Sequence, residues 1–212
     1  MKSNLFIIAK SGWKYIGYAL LLFILFSLID FEFFASISFV TILLFLFLFR
    51  NPEREYLASH ENSIILSPID GHICTIEEIE DDSYTYKIEI ESSYLNVPVL
   101  RVPMNAELES IQSVRGSRLS KKSQLFSLLN EYAEIVFKDE ESKYKVKIVH
   151  RLKQSFASLD IDLVMKQKVV AGARYGVALN GITTVYLPKE LNLCVALGQK
   201  LTASETLLAT AN

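Results

Sequence analysis

The clearest pattern along the chain is a pair of apolar stretches near the N-terminus, at residues 15–29 and 33–49. As helices they reach roughly 22 and 25 Å, slightly less than a hydrocarbon core, and flanking residues can extend them. Asp30 and Glu32, the only charged residues within 15–49, lie between the stretches, where a tight exposed turn keeps their charge out of lipid. The pattern predicts a transmembrane helical hairpin, with a single long span or an interfacial helix as alternatives.

Cationic flanks predict the orientation of this hairpin. Lys2, Lys10 and Lys14 precede the first stretch, Arg50 and Arg54 follow the second, and the turn between the stretches has no lysine or arginine. The positive-inside rule therefore places both ends on the cytoplasmic side. A cleaved signal peptide is disfavoured, because a second apolar stretch follows at once without a small-residue cleavage site.

The rest of the chain has the mixed composition of a soluble domain with short β-like runs separated by polar turns. Pro98 interrupts one of these runs and argues for an edge or a bend there. Residues 125–130 suggest a helical turn, and 156–165 fit either a helix or a strand. The predicted strands are 64–66, 72–76, 84–90 and 95–102, followed by a hairpin of 134–137 with 143–150.

Residues 168–177 and 199–208 share a weak pattern of apolar and small side chains. Two matching short hairpins of this kind are similar to those of biotinyl-carrier domains. The fold class expected is a transmembrane helical hairpin (1–50) followed by a β-rich α+β domain (51–212) with barrel-sandwich-like C-terminal hairpins. A carrier role would need a modifiable lysine at a hairpin tip, for which Lys189 is the nearest candidate.

Composition narrows the classes of function. The net charge of −2, with no basic face interleaved with aromatic residues, argues against nucleic-acid binding. Cys74 and Cys194 are far apart in apolar surroundings, which predicts buried, reduced thiols rather than a zinc or redox pair. His60 and His150 are isolated in sequence, so no metal site is expected.

Several segments, in order, resemble the short bacterial and archaeal type of phosphatidylserine decarboxylase. No single motif is decisive, but together they cover roughly residues 49–209. The segments are 49–54 (FRNPER), 67–73 (SPIDGHI), 95–103 (LNVPVLRVP), 130–131 (NE), 171–176 (AGARYG), 185–188 (VYLP), 198–201 (GQKL) and 205–209 (ETLLA).

The resemblance implies a specific chemistry. In this family the serine of a Gly-Ser bond attacks the preceding carbonyl, and β-elimination then cuts the chain and leaves a pyruvoyl group. That group forms a Schiff base with the substrate amine and accepts electrons as carbon dioxide leaves. A histidine and an aspartate support the proton transfers.

This chain departs from the family at two of these positions. The glycine is kept as Gly181, but the serine position reads Ile182, with one residue fewer before Val185. Isoleucine has neither a nucleophile nor a β-leaving group, so no pyruvoyl cofactor is expected. The family's histidine falls on Pro98, which cannot transfer a proton.

Asp70 is the one retained member of the presumed catalytic set, and it also fits a turn residue of the Pro-x-Asp-Gly bend. His72 is expected to be a half-exposed strand residue. Thr183 could attack the preceding carbonyl, leaving a 2-ketobutyryl group. Ser117, in a Gly-Ser-Arg string, is a candidate for a relocated cleavage site.

Three functions follow from these observations. The first is a non-catalytic relative in phospholipid metabolism that keeps a phospholipid groove and pairs with an active decarboxylase paralogue or with itself. The second is an active decarboxylase with an altered processing site, and the third is a membrane-tethered structural or carrier-like domain. The expected location is a bacterial-type inner membrane with the domain facing the cytoplasm.

Overall fold

The computed structural model describes residues 7–54, 64–81, 83–139 and 144–211. It divides the chain into two compact units, Asn4–Glu53 and Arg54–Asn212. Lys2, His60 and residues 140–143, where the predicted hairpin turns into its second strand, lie outside the described residues.

The first unit is built on two antiparallel helices. A 3-10 turn, Lys10–Gly12, leads into α1 (Trp13–Leu28), and α2 (Glu32–Leu48) follows. Tyr15 stacks on Phe49 with ring centroids 5.3 Å apart. The two predicted helices are therefore confirmed, but Glu32 begins α2 instead of lying in the turn. Asp30 carries that turn with a φ of 55°, a left-handed conformation in which Asp is several-fold enriched.

The helices differ in length. The segment Lys10–Leu28, with 19 residues, is long and apolar enough to cross a membrane, whereas Glu32–Leu48 is apolar but shorter. Leu21 and Val40 are more than 60% exposed. Ser38 and Thr41 donate their hydroxyls to backbone carbonyls four residues earlier. The Ser38 and Thr41 hydroxyls are thus satisfied within α2, and apolar side chains of both helices are exposed, as suits a lipid environment.

The described residues of the second unit form three antiparallel sheets. A short helix, α3, covers Phe126–Leu129. The strands are β1 (Ile64–Leu66), β2 (Gly71–Glu78), β3 (Tyr86–Glu91), β4 (Val99–Arg101), β5 (Ala106–Val114), β6 (Tyr132–Lys138), β7 (Lys145–Leu152), β8 (Asp160–Ile161), β9 (Lys168–Val169), β10 (Arg174–Val177), β11 (Gly181–Leu187), β12 (Leu191–Leu193), β13 (Lys200–Leu201) and β14 (Leu207–Ala211).

The largest sheet has eight strands in the order β13-β2-β3-β11-β7-β6-β5-β9. Strand β11 lies in its interior, paired with β3 on one side and β7 on the other. Alternate residues of these strands point into one core, where Val185, Ile148 and Ile88 have no exposed surface. Because side chains alternate between the two faces of a strand, this burial fixes the register of β11.

Most predicted strands are confirmed, including the β6–β7 hairpin. The predicted helical turn is confirmed as α3. Strand β4 begins only after Pro98, because proline has no N–H to donate to a ladder. Residues 156–165 contain only the two-residue strand β8. The thiols are less buried than expected, since Cys74 is partly exposed and Cys194 exposed.

The C-terminal segments do not form two matching hairpins. Strand β9 pairs with β5, and β10 pairs with β4 and β8. Strand β13 pairs with β2, while β14 lies between β1 and β12. The hairpin prediction is wrong. The two segments share a local pattern of small residues, but each of their strands pairs with a strand from a distant part of the chain. The barrel-sandwich detail is not confirmed.

Candidate functional site

The start of strand β11 is the centre of the candidate site. Asn180 turns into the strand with a φ of 62°. At Gly181 an added Cβ would lie 2.6 Å from the Arg151 carbonyl oxygen of the neighbouring strand β7. Only glycine lets the two backbones approach this closely. The retained glycine therefore has a packing reason of its own, independent of any chemistry at the next residue.

Substituting this glycine is expected to be costly. Gly181→Ala forces the Cβ against the Arg151 carbonyl, and such overpacking destabilises a fold by about 1–3 kcal/mol. The measurement is the urea midpoint of the detergent-solubilised chain. Gln112→Ala, at an exposed position of β5, is the control and should shift the midpoint little. Equal stability of the Gly181 variant and the control would refute the close approach.

The backbone of Gly181 is held by one serine. Its carbonyl accepts the Ser92 N–H at 3.0 Å and the Ser92 hydroxyl contacts it at 3.2 Å. The Gly181 N–H donates to the same hydroxyl oxygen at 3.2 Å. Ser92 is 2% exposed. The carbonyl that precedes residue 182 therefore has two donors beside it and lies away from water, an arrangement that would polarise it.

The next side chain supplies nothing that could attack this carbonyl. Ile182 is 5% exposed and lies between Glu91 of β3 and Arg151 of β7 in the ladder. Glu91 is paired with Lys153 and Lys121. Burial raises the pKa of Glu91, but the two lysines outweigh it and the net pKa is lowered. The surroundings are polar and charged, yet residue 182 itself is a hydrocarbon.

A buried polar network lies on the opposite face of β11. His150 Nδ1 is 2.8 Å from the Thr183 hydroxyl, and Nε2 is 2.5 Å from the Tyr175 hydroxyl. His150 has no exposed surface. Burial lowers the pKa of His150 to about 3 and raises that of Tyr175. The ring is therefore neutral, so it donates to one hydroxyl and accepts from the other.

The amino-acid sequence does not reveal this network directly. His150 is isolated in sequence, but it shares the inward face of β7 with Val146, Ile148 and Leu152. The period-two alternation predicts that a histidine in this register is buried. Its hydroxyl partners lie on β10 and β11, and no local pattern indicates them.

The other candidate positions gather at the same end of the large sheet. The Pro98 carbonyl accepts the N–H of Ala178 at 2.9 Å, and Ala178 lies three residues before Gly181. His72 of β2 faces Glu91, the β3 residue that also faces Ile182. Asp70 precedes β2 at this end. The fold thus brings together the positions that the resemblance identified, although Pro98 offers no proton-transfer group.

Asp70 is engaged in a buried ion pair. Its two oxygens accept both terminal nitrogens of Arg54, one at 2.7 Å, and Oδ1 also accepts the Ala203 N–H at 2.9 Å. Only 7% of the Arg54 side chain and 12% of the Asp70 side chain are exposed. Arg54 also donates to the Ala203 carbonyl at 2.9 Å. Asp70 therefore links Arg54, at the start of the second unit, to the backbone at Ala203.

The two cations expected at the membrane exit behave differently. Arg50 donates to the Phe47 carbonyl at 2.9 Å and lies over the Phe47 ring, which caps the C-terminal end of α2. Arg54 is buried against Asp70 in the second unit. His72 is an exposed strand residue, more open than the half-exposed position predicted.

The relocated candidate Ser117 lies outside the β11 strand. It is exposed, and its N–H donates to Leu129 while its carbonyl accepts from Glu131. Backbone pairing runs from Ser117 to Glu131, from Glu131 to Leu152 at the end of β7, and from Leu152 to Gly181. Close backbone packing requires glycine at Gly116, since an added Cβ would lie 2.3 Å from the Leu129 carbonyl oxygen.

Metal chemistry has no evident centre in the described part of the chain. Within residues 7–54, 64–81, 83–139 and 144–211, no group of three or more His, Cys, Asp or Glu side chains is arranged to hold a metal ion. The titratable groups near β11 are instead arranged as ion pairs and as the neutral His150 network.

Comparison with known proteins identifies relatives along nearly the whole chain. The family model described as "Phosphatidylserine decarboxylase" matches residues 42–209. A "Phosphatidylserine decarboxylase proenzyme" of Geobacter metallireducens is 32% identical over 212 residues, covering 95% of each chain. One from the Wolbachia of Brugia malayi is 30% identical, covering 97% of this chain and 91% of its own. One from Neorickettsia sennetsu is 32% identical over 77% of this chain.

Proposed function

The chain belongs to the phosphatidylserine decarboxylase family, and we propose that it is a membrane protein of phospholipid metabolism that neither processes itself nor decarboxylates. The observation that carries this proposal is Ile182 directly after Gly181. The family's pyruvoyl group requires a hydroxyl on that side chain, first to attack the Gly181 carbonyl and then to leave from Cβ. The residues present do not fit that group.

Two further features support the proposal. Pro98 replaces the family's histidine, so a general acid or base is missing beside the Ala178 backbone. Asp70 is retained, but its oxygens are occupied by Arg54 and the Ala203 N–H. A carboxylate held in this way has a structural role, because it links Arg54 to the backbone at Ala203. Together these features favour a domain that binds phospholipid over one that catalyses a reaction.

The proposed setting is the membrane. Both apolar helices are proposed to cross as a hairpin, with the second unit on the cytoplasmic side of a bacterial inner membrane, as the cationic flanks suggest. The proposed role is to hold phospholipid, either together with an active decarboxylase or as a self-associated assembly. The alternative of a purely structural or carrier-like domain predicts no preference for any phospholipid.

A second candidate function rests on the contact between Thr183 and His150. With Nδ1 as acceptor, His150 could take the hydroxyl proton while Oγ1 attacks the Ile182 carbonyl carbon, replacing the peptide C–N bond by an ester. Loss of the Thr183 Cα proton would then expel the Ile182 carboxylate, and water would release ammonia to leave a 2-ketobutyryl end. Against this, Thr183 lies in the interior of a strand paired on both sides.

The mass of the denatured chain tests the proposal. We expect one species of 24.1 kDa, because no side chain at residue 182 can cut the backbone. Attack by Thr183 would release a 30-residue fragment, residues 183–212, and a cut before Ser117 would release residues 117–212.

Matched variants assign any cleavage. If fragments form, Thr183→Val abolishes those that depend on Thr183, and Ser117→Ala abolishes those that depend on Ser117. Either result, together with carbon dioxide release from phosphatidylserine, would overturn the proposal in favour of an active decarboxylase. An uncut chain that binds phosphatidylserine no better than neutral lipid would support the structural alternative.

A further inference from the structure

Three segments, one of which includes α3, form a continuous surface at the end of the large sheet where β11 begins. They are residues 92–96, 115–130 and 153–156, named here the cationic cap. The Tyr94 hydroxyl donates to the Gln154 carbonyl at 2.6 Å, and the ring of Tyr94 stacks on Phe156. The Gln154 N–H donates to the Arg118 carbonyl at 2.8 Å. These contacts join the three segments to one another.

The cap is held in place by two buried polar residues. Asn130 is 1% exposed, and its amide nitrogen donates to the carbonyls of Leu119 and Leu152 at 2.9 and 2.8 Å. Glu131 is also 1% exposed and accepts Arg118 at 2.8 and 2.9 Å and Arg115 at 2.6 Å. The exposed part of the cap is therefore presented on a fixed support.

Large apolar side chains project from the cap. Leu128 is 74% exposed, Leu95 73%, Leu129 49%, Leu125 48% and Phe156 43%. In a soluble domain, clustered exposed side chains of this size mark a contact with a membrane or with another protein.

The charge of the cap favours a membrane over another protein as the partner. The cap contains five lysines and arginines and no aspartate or glutamate, while the whole chain has a net charge of −2. The bordering Glu91 and Glu131 neutralise part of this charge and leave three positive charges in excess. Apolar side chains surrounded by cations match an anionic lipid surface, whose headgroups attract lysine and arginine while the leucines enter the interface.

We propose that the cationic cap docks on an anionic phospholipid bilayer, inserting Leu125, Leu128 and Leu129 while Lys121 and Lys122 contact headgroups. This docking is independent of whether the chain processes itself, so the mass measurement above and the experiment below can fail separately.

Tryptophan placed at position 128 tests the proposal in the full chain. Trp13, the only tryptophan, is first replaced by phenylalanine, and Leu128→Trp is then compared with Val164→Trp. Val164 is 68% exposed at the opposite end of the sheet, where the Lys166 N–H donates to the Leu108 carbonyl. Each protein is reconstituted in phosphatidylcholine vesicles, with or without phosphatidylglycerol, and quenched by lipids brominated on the acyl chain.

We expect quenching at position 128 to exceed that at position 164 by about threefold in vesicles containing phosphatidylglycerol, and to weaken at high salt. The pair Lys121→Gln and Lys122→Gln should remove the dependence on anionic lipid, whereas Lys145→Gln with Lys166→Gln, away from the cap, should not. Equal quenching at the two positions, or quenching that ignores the anionic lipid, would overturn the proposal. A tryptophan at 128 shielded from both brominated lipid and aqueous quencher would also overturn it, in favour of a second copy or another protein.

Discussion

Asp70→Asn is expected to lower the free energy of unfolding of the second unit by about 3–5 kcal/mol, because it leaves a buried arginine without its counter-charge. The side chains of Asp70 and Arg54 are 12% and 7% exposed, and the carboxylate also accepts the Ala203 N–H. The change in the urea midpoint of the detergent-solubilised chain measures this loss.

An exposed ion pair in the same unit provides the matched control. Glu109 accepts Lys145 at 2.6 Å, but their side chains are 36% and 45% exposed. Glu109→Gln should therefore cost less than about 1 kcal/mol, since water replaces the partner. Adding Arg54→Met to Asp70→Asn should recover part of the loss, because no uncompensated charge remains. Similar effects of Asp70→Asn and Glu109→Gln would show that the Arg54–Asp70 pair is not a structural clamp.

Acid is expected to destabilise the second unit through His150. Burial lowers the folded-state pKa of His150 to about 3 from the ordinary value of 6.5, so the unfolded state binds the extra proton in the interval between them. The stability that this group contributes is complete above pH 6.5 and declines as the pH falls toward 3, by up to roughly 5 kcal/mol. Urea midpoints measured from pH 7.5 to pH 4 follow the decline.

The contribution of His150 can be separated from that of the carboxylates. His150→Leu with Thr183→Val removes the titrating ring and one of its hydroxyl partners, so the midpoint should depend on pH less steeply than in the unaltered chain. His72→Gln changes an exposed histidine and should leave the steeper dependence intact. An unchanged slope in the His150 variant would mean that the buried ring does not control acid unfolding.

Local pattern was sufficient for much of the fold. The apolar runs identified both helices to within two residues, period-two alternation identified β3, and β-like runs between polar turns identified β2, β6 and β7. The same alternation could have placed His150 in the core. The partners of β9, β10, β13 and β14 were not predictable in this way, because pairing between distant strands depends on the packing of the whole sheet.

The absence of a hydroxyl at residue 182 and of a proton-transfer group at Pro98 follows from amino-acid identity alone, because these are properties of single side chains. The roles of the remaining groups depend on the folded chain, which joins Asp70 to Arg54, buries His150 between Thr183 and Tyr175, and brings three separate segments into one cationic surface. Covalent chemistry resides in one residue, whereas burial, pairing and surface charge arise when segments far apart in the chain come into contact.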